Sequence, residues 1–134
     1  MNHNSALTDH IFRCDAPLHN QYQTNARRVV FVCSVGMLRS PTAQIVASQH
    51  GFNARAAGSD RDRALIPLNA NLIEWAEKIV FMNFENLCQA LNTFEGTGYD
   101  ETIREKKVVW NIEDQYEWGD NILFRILEEK MKTL

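Results

Sequence analysis

Cys33 and Arg39 are separated by five residues and directly follow the apolar run 29–32. A cysteine thiolate can attack phosphorus, and an arginine guanidinium presents a planar fork of donors to two phosphate oxygens. A short loop between them can also direct backbone N–H groups at the phosphate. The spacing therefore predicts a phosphate-binding loop with a nucleophile at its base. Its predicted phosphate-binding residues are Ser34, Val35, Gly36, Met37, Leu38, Arg39 and Ser40.

The residues that follow Arg39 predict the start of a helix. Ser40 is a preferred N-cap residue, and Pro41 suits the first helical position, where its missing N–H has no helical partner. The positive end of this helix would face the loop, which favours a bound dianion and the ionised form of Cys33. The alternative interpretation is a buried strand that ends in an inert cysteine, since free cysteine is among the most buried residue types. The predicted helix start favours the phosphate-binding interpretation.

Predicted strands and helices alternate from residue 28 onward. The expected strands are 28–33, 54–58, 78–83 and 106–112, and the expected helices are 40–50, 67–76, 84–94 and 119–131. The turn-rich stretch 95–100 is expected to be a loop. The alternation predicts an α/β single domain, a four-stranded parallel sheet with helices on both faces. In such folds ligands bind at the carboxyl ends of strands, which is where Cys33 lies.

Composition and charge exclude several classes of protein. The chain has 134 residues, of which 45% are hydrophobic, enough for the core of one domain. A formal net charge of −3 argues against broad binding to nucleic acids or anionic membranes. Cys14, Cys33 and Cys88 are widely spaced and do not suggest a disulfide framework. A thiolate nucleophile suits a reducing compartment, so the expected location is the cytoplasm.

Residues 1–27 are polar and are expected to form an N-terminal extension to a domain at 28–134, either partly disordered or a small added strand or arm. They lack the charged start and apolar run of a signal peptide, and no stretch of the chain approaches the length of a membrane span. Cys14 and the nearby histidines lack the tight paired spacing of metal ligands, so no metal is expected.

Several segments resemble the low-molecular-weight protein tyrosine phosphatases, most closely a small bacterial branch of predicted tyrosine phosphatases. The segments resemble the family signature, the residues after its second strand, its second helix with its third strand, and its acid loop. They lie at residues 29–47, 57–59, 67–82 and 111–118. The resemblance covers about residues 28–131 and implies the flavodoxin-like fold of that family.

The resemblance implies a role for each matching site residue. Cys33 would attack the phosphoryl group, Arg39 would bind its equatorial oxygens, and Ser40 would donate a hydrogen bond to the thiolate. Asp114 would protonate the leaving phenolate oxygen and then activate the water that hydrolyses the phosphocysteine. Neither a metal nor a cofactor is required by this chemistry.

The acid-loop residues also allow other interpretations. Asp114 has acidic neighbours, and a carboxylate in such a segment is most often solvated surface. Glu113 is the alternative acid. Tyr116 and Trp118 are candidate walls of a substrate pocket that holds a phenyl phosphate, or they pack the loop against the core.

Three residues depart from the family pattern. Gly36 replaces an asparagine whose side chain braces the loop, although glycine can adopt the left-handed backbone angles that such a position needs. Gln115 replaces a proline after the acid, which leaves the acid loop more freedom. Leu38 replaces the second cysteine that forms a protective disulfide with the nucleophile in many members.

These residues predict a phosphomonoester hydrolase, a protein tyrosine phosphatase that works through a phosphocysteine intermediate. The expected substrate is a phosphotyrosine protein or a small aryl phosphate, with another small phosphate ester as an alternative. Gly36 and Gln115 motivate a second alternative, a catalytically weak or inactive module that binds phosphate or phosphoproteins. A third alternative is an arsenate reductase of the same fold. Such an enzyme needs further cysteines to form a disulfide after reduction, and only Cys88 lies in a suitable place, so this alternative is the least favoured.

Overall fold

Four strands and five helices lie within the residues that the computed structural model describes, which are 26–36, 39–113 and 120–134. The strands are β1 (Arg28–Cys33), β2 (Asn53–Gly58), β3 (Lys78–Phe81) and β4 (Lys107–Val109). The helices are α1 (Arg39–Gln49), α2 (Ala70–Trp75), α3 (Phe84–Thr93), α4 (Tyr99–Lys106) and α5 (Asn121–Met131).

The strands form one parallel sheet in the order β2-β1-β3-β4. Val32 of β1 lies opposite Ala57 of β2 on one side and opposite Phe81 of β3 on the other. Residues 29–32 are fully buried, as expected of a central strand that has helices on both faces. Because the strand order reverses beside β1, Cys33 lies at the carboxyl edge between β2 and β3, where such folds bind ligands.

Alternate residues of β1 face two different layers of helices. Val29 and Phe31 pack in a buried cluster with residues of α1 and α5. Val30 and Val32 pack in a second cluster with residues of α2, α3 and α4. The prediction of a single domain with a four-stranded parallel sheet and helices on both faces is therefore confirmed.

Helix α4 differs from the sequence-based expectation. The prediction of a loop over residues 95–100 is wrong at its end, because the helix begins at Tyr99. Ile103 is buried in this helix, but the other residues give little apolar periodicity. Acidic residues in the first turn and basic residues in the last turn favour the helix instead, because they complement the helix dipole.

Strand β4 is shorter than the predicted strand 106–112. Asn111 has a left-handed backbone angle, φ 55°, which is incompatible with a regular strand. The backbone nevertheless continues along the sheet, since Ile112 N donates to the Met82 carbonyl at 2.7 Å. The backbone therefore follows the carboxyl edge of the sheet as far as Ile112, which is the second residue of the predicted acid-loop segment 111–118.

Residues 1–25 of the expected N-terminal extension lie outside the described residues, so the domain boundary before residue 28 stays a prediction. The first strand does begin at Arg28, as predicted. Of the helices in the described ranges, none has the length and apolar character needed to cross a bilayer.

Candidate active site

Cys33 is the last residue of β1, and only 3% of it is exposed. Gly36 N donates to Cys33 Sγ at 3.2 Å, and Ser40 Oγ lies 3.0 Å from the same sulfur. A backbone N–H and a hydroxyl at these distances stabilise a negative sulfur, because hydrogen bonds to ionised groups are the stronger ones. The fold therefore brings three of the predicted loop residues into direct contact.

Ser40 is the second residue of α1, so the helix begins one residue earlier than predicted. Its side chain is fully buried, and its single hydroxyl proton can be donated either to the sulfur or to the Ala57 carbonyl, which lies 3.4 Å from Oγ. The hydroxyl therefore lies between Cys33 Sγ and the end of β2. The prediction of Ser40 as the N-cap is therefore wrong, because the residue lies within α1 and its side chain contributes to the site instead.

Gly36 allows the loop to approach β2 closely. Its φ is +75°, in the left-handed region that residues with a side chain rarely adopt. A Cβ atom there would lie 3.0 Å from the Ala57 carbonyl carbon and 3.1 Å from Gly58 N. Both the backbone angle and the tight approach to β2 therefore favour glycine at this position.

The segment after β2 is hydrogen-bonded to the base of the loop. Ser59 N donates to the Cys33 carbonyl and Asp60 N donates to the Ser34 carbonyl, both at 2.8 Å. A Cβ atom at Gly58 would lie 2.8 Å from the same Ser34 oxygen. These contacts explain why the residues at 57–59 matter to the site, although they carry no reactive group.

Asn86 is a site residue that the sequence did not single out. It is 1% exposed, and its Nδ2 donates to Ser34 Oγ at 3.1 Å and to Ser59 Oγ at 3.2 Å. The Asn83–Asn86 spacing is a readable signal for the start of a helix, because the two asparagines form a capping box. The contacts with the two serines depend on tertiary structure and leave no such signal.

Arg39 is buried, with 2% of its surface exposed, and begins α1. Among its contacts is a hydrogen bond of 2.7 Å from Nη1 to the Ile112 carbonyl. Burial of a guanidinium is unfavourable unless its donors are bonded, so this carbonyl stabilises the arginine in the loop. The bond also connects the loop to the backbone two residues before Asp114.

Several predicted site residues lie outside the described residues. These are Met37, Leu38, Asp114, Tyr116 and Trp118. Directly before Asp114 in the chain, Ile112 is buried and Glu113 is exposed. On the far side, Asp120 caps α5 by accepting from Ile122 N at 2.8 Å.

Exposed apolar side chains flank this edge of the sheet. Leu65 and Ile66, which are 76% and 59% exposed, follow β2, and the Ile66 carbonyl accepts from Gly58 N at 2.9 Å. Phe84, which is 63% exposed, begins α3 directly after β3. Because β1 lies between β2 and β3, these side chains follow the two strands that border Cys33.

Comparisons with protein-family models and with curated proteins give no match. Solved structures do match. Wzb from Vibrio vulnificus, in complex with benzylphosphonate, is 14% identical with a TM-score of 0.60, over 81% of this chain and 96% of that one. The YwlE arginine phosphatase from Geobacillus stearothermophilus is 16% identical with a TM-score of 0.54, over 80% and 86%.

A third matching structure is that of a member of the family that the sequence resembles. It is SP-PTP, a low-molecular-weight protein tyrosine phosphatase from Streptococcus pyogenes, 13% identical with a TM-score of 0.59, over 80% of this chain and 89% of that one. The likeness extends over nearly the whole length of these proteins, and it includes the sheet that carries Cys33. The chain therefore has the fold of the low-molecular-weight protein tyrosine phosphatases, as its sequence predicted.

Proposed function

We propose that this protein is a phosphomonoester hydrolase, a cysteine-dependent protein tyrosine phosphatase of the low-molecular-weight type. One observation carries the proposal: Cys33 Sγ lies within hydrogen-bond distance of Gly36 N and Ser40 Oγ, beside the N-terminal end of α1. A sulfur held in this way is suited to act as a thiolate nucleophile. An inert structural cysteine has no need of these two donors.

The first chemical step forms a phosphocysteine. The Cys33 thiolate attacks phosphorus, the bond from phosphorus to the ester oxygen breaks, and Asp114 transfers its proton to the departing oxygen. In the second step Asp114 takes a proton from water, whose oxygen attacks phosphorus while the sulfur–phosphorus bond breaks. Inorganic phosphate leaves, and both the thiolate and the protonated acid are restored.

The phosphate would be held by backbone N–H groups of the loop after Cys33, other than that of Gly36, which donates to the sulfur, and by the guanidinium of Arg39. Donors that are fixed before the substrate arrives stabilise the charge that develops on the phosphoryl oxygens, since little reorganisation is needed during the reaction. The 2.7 Å bond from Arg39 to the Ile112 carbonyl supports this role, because it holds the guanidinium at the loop.

The proposed substrate is a phosphotyrosine protein or a small aryl phosphate. The exposed side chains of Leu65, Ile66 and Phe84 offer apolar surface beside the strand end that carries Cys33, and Tyr116 and Trp118 are proposed as further walls. The benzylphosphonate bound to Vibrio vulnificus Wzb is an oxyanion on an aromatic group, which supports the same substrate class. A thiolate enzyme also suits a reducing compartment, which supports a cytoplasmic location.

Turnover of p-nitrophenyl phosphate between about pH 5 and 8 tests the proposal. We expect steady release of p-nitrophenol by the reduced wild-type protein and a loss of roughly 10⁴-fold or more in Cys33→Ser, which lacks the nucleophile. Cys88→Ser is the matched control, since Cys88 is an exposed free cysteine on α3. If the folded wild-type protein binds inorganic phosphate but shows no turnover, the result would contradict the hydrolase proposal and favour the alternative of a phosphate-binding module.

A further inference from the structure

The side-chain amide of Asn86 links three segments at the carboxyl edge of the sheet. Its Nδ2 donates to Ser34 Oγ, next to the nucleophile, and to Ser59 Oγ, just after β2. Its Oδ1 accepts from Asn83 N at 3.2 Å, between β3 and α3. The amide therefore uses its oxygen and both of its N–H groups within a buried position.

The orientation of this amide is fixed by its partners. Asn83 N is a backbone donor, so the atom facing it must be the amide oxygen, and the NH₂ group must then face the two serines. The reciprocal bond from Asn86 N to Asn83 Oδ1, at 3.0 Å, holds the first turn of α3 in place. Ser59 Oγ in turn donates to Gln89 Oε1 on the same helix. The amide is thus a rigid cross-link.

Ser34, the residue beside the nucleophile, is held by two contacts among the described residues. Gly36 has no side chain that could make such a contact, and it lies close against β2. Ser34 is the first residue after Cys33, and the described contacts that hold it are the Asp60 N–H on its carbonyl and the Asn86 amide on its hydroxyl. Only the second of these reaches the loop from the β3 side.

We propose that Asn86 is a positioning residue for the nucleophile, which it holds through Ser34 and Ser59 without touching the substrate. The inference rests on the proposed phosphatase function. Without the amide, the acceptor sites of two inward-facing hydroxyls lose their donor, and the loop shifts to reach other partners. A shift of about 1 Å in a reacting atom is enough to slow a reaction by roughly 10²-fold.

The test compares Asn86→Leu, which keeps the approximate size of the side chain, with wild type on p-nitrophenyl phosphate. We expect kcat to fall by about 10- to 100-fold while KM changes by less than about threefold, since misplacement of the sulfur affects the reaction more than phosphate binding. We also expect Asn86→Leu and Ser34→Ala to be non-additive, because both remove the same contact. Unchanged kcat or full additivity would overturn the proposal.

Asn83→Ala controls for the helix start. It removes one half of the capping box but leaves the Asn86 amide and both serines in place. We expect thermal stability to fall in both variants, and kcat to fall at least about fivefold further in Asn86→Leu than in Asn83→Ala. Equal losses of kcat would assign the effect to the helix start and overturn the positioning role.

A readout without turnover separates this proposal from the proposed function. Alkylation of Cys33 by iodoacetamide, followed on its own peptide by mass spectrometry, should become about tenfold faster in Asn86→Leu, because the loop no longer covers the sulfur. If wild-type protein fails to hydrolyse any phosphate ester, the phosphatase proposal fails, and the alkylation rate still decides whether Asn86 positions the loop. An unchanged alkylation rate would overturn the positioning role.

Discussion

The loop that carries Cys33 and the segment that leads to Asp114 lie at the same edge of the sheet, but they are held in different ways. The contacts that surround the sulfur join residues three and seven positions apart. The contacts of Ile112 reach Met82 on the neighbouring strand and Arg39, which is 73 positions away. The hydrogen bonds of the sulfur itself are thus local in sequence, although the loop around it is also held by Asn86 and by the segment after β2. Both described hydrogen bonds of Ile112, before Asp114, are long-range.

Arg39 belongs to both regions, so its replacement should have the largest effect after loss of the nucleophile. We expect Arg39→Lys to lower kcat/KM by about 10²–10³-fold, because lysine keeps the charge but lacks the planar fork that meets two phosphate oxygens. It should also lower the free energy of unfolding by about 1–3 kcal/mol, since the bond to the Ile112 carbonyl is lost. Initial rates and urea denaturation measure the two effects.

The same variant sharpens the comparison between the two regions. If Arg39 serves the loop alone, the loss of activity will be accompanied by unchanged stability. Such a result would show that the Ile112 carbonyl contributes nothing to holding the arginine, and it would contradict the description of Arg39 as the connection between loop and acid segment.

Asp114→Asn tests the acid segment. We expect kcat/KM to fall by about 10²-fold, and to fall further for phenyl phosphate than for p-nitrophenyl phosphate, because the poorer leaving group depends more on protonation. Glu113→Gln is the matched control, since Glu113 is the exposed neighbouring carboxylate. Its activity should stay within about twofold of wild type. A larger loss in Glu113→Gln than in Asp114→Asn would assign the acid to Glu113.

Gly36→Ala tests the loop that carries Cys33. Its effect on activity should be smaller than those of Arg39→Lys and Asp114→Asn. We expect a loss of about 1–3 kcal/mol in the free energy of unfolding and about tenfold in kcat, because φ is +75° and the added Cβ would press on Ala57. Gly51→Ala is the matched control: its φ is +86°, but nothing lies within 4 Å of the added Cβ.

The two glycines separate backbone strain from close contact. Gly51→Ala should lose about 1 kcal/mol, the strain of a left-handed residue alone, with unchanged kcat. Equal losses of stability in both variants would show that the approach of Gly36 to β2 is unimportant, and that the loop is held by its backbone angles only.

The sequence predicted the parts of the site that depend on neighbouring residues. The central strand is predicted with its observed bounds, 28–33, because a continuous apolar run followed by a helix start has few other interpretations. Helix α4 was not predicted, because Ile103 alone gives no apolar periodicity. Its acidic first turn and basic last turn are a weaker signal that favours a helix. The role of Asn86 was not predictable, because its serine partners lie 52 and 27 positions away.

The central position of β1 also affects the order in which the protein can fold. Its parallel partners β2 and β3 both come later in the chain, and α5, which packs in the same cluster as Cys33, comes last. Pairings between distant segments form slowly, and a chain made on the ribosome emerges from its N-terminal side first. Cys33 is therefore synthesised before the elements that bury it, so a newly made chain depends on its surroundings to keep the thiol reduced until α5 has docked.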